Sequence, residues 1–269
     1  MHPIERLRWV ARSPEGELSL VAAEAADALA SFAGDPAGLV IASRRLIERR
    51  PAAGPLWWLA SRVLCALEPG FEAMDAAADL ERDRTPVALA GDLPGGTVAI
   101  VGWPDHASAA LRMRARMGGD ASSAGLDKVV VVATGRDSWG CVDWLQGHGV
   151  DARLLRDGEV AAAGRSCVLA LLEATAVGPD SFVAPTGSAA LAAAAREAHR
   201  PVWLVAGVGR VLPGPLYEAL VRRIAGDDTF EVVPLAAVDE VAGPAGPLPR
   251  AQLARPSCPV AAELLRFSG

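Results

Sequence analysis

Val168-Leu169-Ala170-Leu171-Leu172-Glu173-Ala174-Thr175 opens as a continuous apolar run, too short to cross a bilayer and therefore read as a strand buried on both faces. Gly178-Pro179 breaks it, because Pro cannot continue a ladder. Thr186-Gly187-Ser188 then opens an alanine-rich helix from Ala189 to His199, and Pro201-Val202-Trp203-Leu204-Val205 reads as the next strand. The segment is one β-loop-α-β unit of a parallel sheet. Such sheets place ligands at the carboxyl ends of their strands, so the loop from Glu173 to Ser188 is where a site is expected.

The flanking sequence extends this pattern. Thr97–Val101, Lys128–Ala133, Ala152–Leu155 and Phe230–Val233 read as further strands. Helices fall between them over Ala107–Met117, Ser138–His148, Gly158–Gly164 and Pro215–Ile224. Strands alternating with helices of these lengths predict a doubly wound, Rossmann-like parallel α/β sheet. Before it, residues 1–91 read as helical, over Glu17–Phe32, Pro36–Arg49, a helix opening at Pro55 and Phe71–Arg84. The turn-rich segment Ala90–Gly96 marks the boundary, giving a helical domain over 1–91 and the sheet domain over 92–269. The Pro/Gly-rich tail after Gly243 is expected to wrap the surface or pack at an interface.

Composition narrows the function. A net charge of −6 argues against broad nucleic-acid binding. Cys65, Cys141, Cys167 and Cys258 form no CxxC pair, and no spacing suggests a metal. The N-terminus lacks the apolar core of a signal peptide and no run reaches spanning length, so a cytoplasmic protein without membrane contact is expected. Abundant Ala, Gly, Pro and Arg beside the lone Lys128 suggest a GC-rich, bacterial genome. Gly207-Val208-Gly209-Arg210-Val211-Leu212 has Leu where a dinucleotide fingerprint needs its third glycine, and no phosphate-binding P-loop is present. NAD and ATP therefore gain no support, and no cofactor is expected.

The order of a helical domain and then this sheet resembles the initiation-factor-2B alpha, beta and delta subunits, a family that includes isomerases of methylthioribose 1-phosphate and ribose 1,5-bisphosphate. The resemblance runs from about Gly38 to Val241. Glu173-Ala174-Thr175 resembles the family's Gly-Ala-Asp, Gly187-Ser188 its Gly-Thr, and Leu191 to Pro201 its Ala-rich helix and following Pro. Arg50-Pro51 resembles its Arg-Pro pair, Ala133-Thr134-Gly135-Arg136 a Glu-Thr-Arg-Pro segment, and Phe230-Glu231-Val232-Val233-Pro234 its closing Phe-x-x-x-Pro. The resemblance implies a homodimer formed through the sheet domain. It also implies a catalytic cysteine after the first sheet strand and an aspartate in Gly-Ala-Asp. Here Trp103 and Thr175 occupy those places, and neither is a competent acid or base near neutral pH. The chain is thus expected to be a phosphorylated-sugar or nucleotide binder with a degenerate isomerase site. The alternatives are an active isomerase with a replaced acid/base set and a structural subunit with no ligand.

Individual residues keep two readings each. Asp105 is either the cap of the following helix or a substitute acid/base group. His106 either helps bind an anion at that helix N-terminus or is solvated. Asp180 is a turn residue or a site carboxylate, so the replaced catalytic set would be Asp105, His106 and Asp180. Ser188 and the N–H groups after Gly187 hold a phosphate or merely cap a helix. Arg210, Arg50 and Arg136 pair with a ligand anion or lie in solvent. With Trp103, Thr175 and Gly187, Arg50, Ser188 and Arg210 make up the expected ligand-binding set. Trp139, Cys141 and Trp144 share one helix and read as core or dimer-interface packing.

Overall fold

Proline sets the starts of the N-terminal helices. The computed structural model describes residues 18–117, 125–134, 137–155, 159–253 and 255–266. Helix α1 (Leu18–Ala30) is followed by α2 (Pro36–Arg49), α3 (Gly54–Cys65), α4 (Pro69–Glu81) and α5 (Thr85–Asp92), and α2 to α5 each carry Pro in the first turn. There its missing N–H costs nothing and its fixed φ suits the helix. The Asp35 carboxylate caps α2 by accepting the Gly38 N–H at 2.9 Å. Helix α5 runs through Ala90–Asp92, which the turn-rich reading had placed outside a helix; the real break comes at Pro94-Gly95.

The sheet domain then alternates as the sequence suggests: β1 (Gly96–Val101), α6 (Asp105–Met117), β2 (Leu126–Val132), α7 (Asp137–Gly147), β3 (Ala152–Leu155), α8 (Val160–Ser166) and β4 (Leu169–Glu173). After β4 come β5 (Ala176–Val177), β6 (Ser181–Pro185), α9 (Ser188–Glu197), β7 (Val202–Val205), α10 (Gly214–Arg223), β8 (Phe230–Pro234), β9 (Glu240–Gly243), β10 (Gly246–Pro249) and the short α11 (Ala262–Leu265). The main sheet has seven strands in the order β10-β9-β7-β4-β1-β2-β3, all neighbours parallel except β9 and β10.

The central strands are buried on both faces. Val98, Ile100, Leu169 and Leu171 enter one core while Ala99, Val101, Ala170 and Leu172 enter the other. Burying each large aliphatic side chain stabilises the fold by about 1.5–3 kcal/mol. The helical layer α1–α4 builds a third core, shared with α10, α11 and the β-residues Ala176 and Val183.

Three sequence expectations are corrected. The Glu173–Ser188 stretch is a hairpin rather than a loop, with Ala176 opposite Val183 and Val177 opposite Phe182. The strand at Phe230–Pro234 leaves the parallel sheet and pairs antiparallel with β6, making a second sheet β5-β6-β8. The main sheet instead ends in the β9-β10 hairpin, whose second strand lies in what reads as tail. Short strands around Gly and Pro carry too little period-two pattern to be distinguished from loops.

Candidate functional site

Strands β1 and β4 are neighbours, and the chain leaves β1 toward β2 and leaves β4 toward β7. In doubly wound sheets such a reversal marks the crevice at the carboxyl ends of the strands, where ligands sit. Four segments meet there. Asp105 and His106 form the first turn of α6, Glu173 ends β4, Arg210 lies in the loop after β7, and Asp83 sits in the turn between α4 and α5.

The contacts link these residues into one cluster. Glu173 Oε1 receives Arg210 Nη2 at 2.9 Å, and the His106 N–H at 3.3 Å. Glu173 Oε2 accepts the Ala107 N–H at 2.9 Å, so this carboxylate caps α6 from a different strand. His106 Nε2 lies 3.1 Å from Asp83 Oδ2, which also accepts the Val208 N–H at 2.8 Å. Asp83 Oδ1 accepts both the N–H and the hydroxyl of Thr85, at 2.8 and 2.6 Å. Arg210 Nη1 donates to the Ala174 carbonyl. The side chains of Asp83, His106, Glu173 and Arg210 are at most 5% exposed. Asp105, 23% exposed, borders the cluster with Oδ2 3.9 Å from Arg210 Nη2 and accepts the Leu18 N–H at 2.9 Å.

His106 Nδ1 is contested: Arg210 Nη2 lies 2.9 Å away and Glu173 Oε1 3.4 Å away. A bare Nδ1 would accept from Arg210, whereas a protonated one donates to Glu173. Charge decides between them. Two buried carboxylates against one guanidinium leave an uncompensated negative charge, which an imidazolium neutralises. Burial and Arg210 oppose that proton, but hydrogen bonds to Asp83 and Glu173 outweigh them and hold the His106 pKa up at about 9. Burial pushes the Glu173 carboxyl up, and Arg210 with His106 more than reverses this. Asp83 is likewise held well below the ordinary carboxylate range, its burial overcome by His106 and Thr85.

The remaining expected site residues lie around this cluster. Trp103, 40% exposed, packs over α7, where a Cβ on Gly140 would come within 2.7 Å of its ring, so the indole does not fill the crevice. Thr175 is buried with its hydroxyl bonded to the Val183 carbonyl at 3.3 Å. Asp180 is exposed in the β5-β6 turn, away from these contacts. Gly187 holds a φ of +104° before α9, Ser188 donates to the Pro185 carbonyl at 2.7 Å, and the Ala189 N–H goes to Glu231 Oε1 at 2.8 Å. Arg50 is part-buried beside Asp105, and burial lowers its pKa against the pull of that carboxylate. Arg136 lies outside the described residues. Among the thiols, Cys141 contacts Ser108 Oγ at 3.7 Å and is pushed up to about 11 by burial, so it carries no thiolate at neutral pH.

Glu173 and Asp83 escaped the sequence reading as site residues. Glu173 had a signal: a carboxylate inside a strand buried on both faces must have a partner. Asp83 had none, being one acidic residue among many on a charged helix end. A cleft of about 650 Å³ opens between α3, α4 and the C-terminal segment, lined by Trp58, Arg62, Glu72, Asp79, Arg82 and Ser257 among others. Its Arg62 is spent on Glu72, on Asp79 and on the Trp58 ring 4.5 Å away. Among the described residues no His/Cys/Asp/Glu group could hold a metal ion, and no helix is long and apolar enough to cross a membrane.

No family model matches the sequence, and no curated protein sequence matches it. Solved structures do. Translation initiation factor eIF-2B from Pyrococcus horikoshii OT3 is similar at a TM-score of 0.75 and 15% identity, over 91% of this chain and 96% of that one. The eIF2B beta subunit from Chaetomium thermophilum gives 0.67 at 16% identity, covering 93% and 89%. The 5-methylthioribose 1-phosphate isomerase from Pyrococcus horikoshii OT3 gives 0.64 at 17% identity, covering 92% and 84%. This chain has the eIF2B fold. In this eIF2B-like chain the likeness extends over the helical layer as well as the sheet. At such identity it is the fold that is shared.

Proposed function

We propose that this eIF2B-like chain is a cytoplasmic, non-catalytic protein that binds a phosphorylated sugar or nucleotide in a regulatory role and assembles as a homodimer. One observation carries this reading: Asp83, His106, Glu173 and Arg210 pair with one another at the carboxyl ends of the strands, where a substrate would react. Moving a proton between two sugar carbons needs groups that titrate near working pH and reach the substrate. His106 keeps its proton up to about pH 9 and both buried carboxylates stay ionised well below neutrality. The Thr175 hydroxyl is engaged by a backbone carbonyl. Of the alternative catalytic set only Asp105 borders the crevice with part of its side chain open to solvent, Asp180 standing in a turn and His106 being buried.

Glu173 and Glu231 already cap the helices that follow β1 and β6. That favours Arg50, part-buried and within the electrostatic reach of Asp105, as the phosphate partner. The exposed Trp139 and Trp103, brought close through Gly140, support a dimer contact on this face of the sheet domain.

The test has two arms. Phosphorus NMR should show no ketose from methylthioribose 1-phosphate or ribose 1,5-bisphosphate, and turnover abolished by Asp105→Asn would overturn the non-catalytic reading. In thermal melts, a sugar phosphate or nucleoside monophosphate at a hundred times its dissociation constant should raise the midpoint by about 5–10 °C in the wild type. The shift should vanish in Arg50→Ala. A flat screen would leave a purely structural subunit, and a monomer in light scattering would remove the dimer.

A further inference from the structure

The donors that surround the Glu173 carboxylate make up a complete small-anion site. Two are backbone N–H groups in the first turn of the thirteen-residue helix α6, those of His106 at 3.3 Å and Ala107 at 2.9 Å. A third is Arg210 Nη2 at 2.9 Å, and the fourth is the His106 ring at 3.4 Å. The Arg210 side chain is 1% exposed, and its Nε is buried without an acceptor among the described residues. Nε and Nη2 form one edge of the guanidinium, a fork that matches the two oxygens of a carboxylate. Glu173, tethered to β4 and stretched between Arg210 and the helix, engages only half of that fork. A buried donor left unmet in this way calls for a physical account.

We propose that Glu173 is a built-in occupant of this site: a side chain that fills, from within, a pocket suited to a small free carboxylate. An untethered carboxylate would lie along the Nε–Nη2 edge and still face the N-terminus of α6. The inference deepens the non-catalytic reading above, since it names what fills the carboxyl end of the sheet, but it concerns a different site from Arg50.

The experiment uses the full chain. Glu173→Ala should melt below the wild type, and sodium formate should raise its midpoint by about 3–6 °C at ten times its dissociation constant, against sodium chloride at equal ionic strength. Wild type, with the site filled, should not respond. Glu173→Ala/Arg210→Met should lose the formate effect. Inorganic phosphate serves as the second probe, and rescue by phosphate but not formate would overturn the assignment to a carboxylate. A folded Glu173→Ala that ignores both anions, or a wild type that shifts as much as the variant, would overturn the proposal itself. If Glu173→Ala is recovered only unfolded, refolding decides: recovery in formate and not in chloride supports the site, and recovery in neither removes it. Turnover by the wild type would sink the non-catalytic reading while leaving formate rescue of Glu173→Ala standing, so the two failures are distinguishable.

Discussion

Asp83 and His106 meet at 3.1 Å across the junction between the helical layer and the sheet, each almost wholly buried. Asp83 comes from the turn that joins α4 to α5, and His106 from the helix that follows β1. Removing one member of a buried charged pair strands the other, a change that costs about 3–5 kcal/mol. Asp83→Asn should therefore lower stability by about that amount, read as a fall in the urea midpoint with an unchanged slope. A loss below about 1 kcal/mol would mean that the pair is not ionic.

Stability should fall at both ends of the pH scale, for opposite reasons. His106 binds its proton more tightly when folded, at about 9 against 6.5 unfolded. Its contribution is complete below pH 6.5 and disappears as the pH rises through about 9. The gap corresponds to about 3 kcal/mol. Asp83 and Glu173 titrate lower when folded than their ordinary values of 3.8 and 4.5, so their contribution is present above those values and is lost as the pH falls. Urea midpoints measured from acid to alkaline pH should trace this plateau, and His106→Gln should flatten the alkaline limb.

How much of this was legible in the sequence depends on range. The apolar strand around Leu171 and the Pro-initiated helices announce themselves through neighbouring residues. The cluster does not: His106 reaches Asp83 over 23 positions, Glu173 over 67 and Arg210 over 104. No local pattern encodes such pairings, and only the strand order brings them together. Reading His106 as solvated failed for this reason. Nor does any local pattern announce that Glu173, from another strand, accepts two N–H groups in the first turn of α6.

Gly207 is pressed against the cluster. A Cβ there would run into Asp83 Oδ2 and come within 2.8 Å of His106 Nε2. Both neighbours are held by other bonds and cannot retreat. Gly207→Ala should cost about 1–3 kcal/mol, as overpacking of a filled interior does. Its thermal midpoint, compared with that of an Ala substitution at the open Gly91, checks this.

Ser61 fastens the C-terminal segment to α3. Its hydroxyl donates to the Pro259 carbonyl at 2.6 Å and accepts the Ala261 N–H at 2.8 Å, and the residue is fully buried. Ser61→Ala leaves two backbone groups unmet, for a loss of about 1–3 kcal/mol. Limited proteolysis should cut the chain after residue 255 faster than in the wild type, with the sheet domain intact.

The Asp83 contact also bears on how the molecule comes apart. If the helical layer lifted away from the sheet, an imidazolium and a guanidinium would remain in the interior with one carboxylate between them. Such a half-open species is disfavoured by about the energy of a broken buried pair. The shared charges thus oppose separate opening of the two layers, and they couple those layers in folding as the chain joins them in sequence.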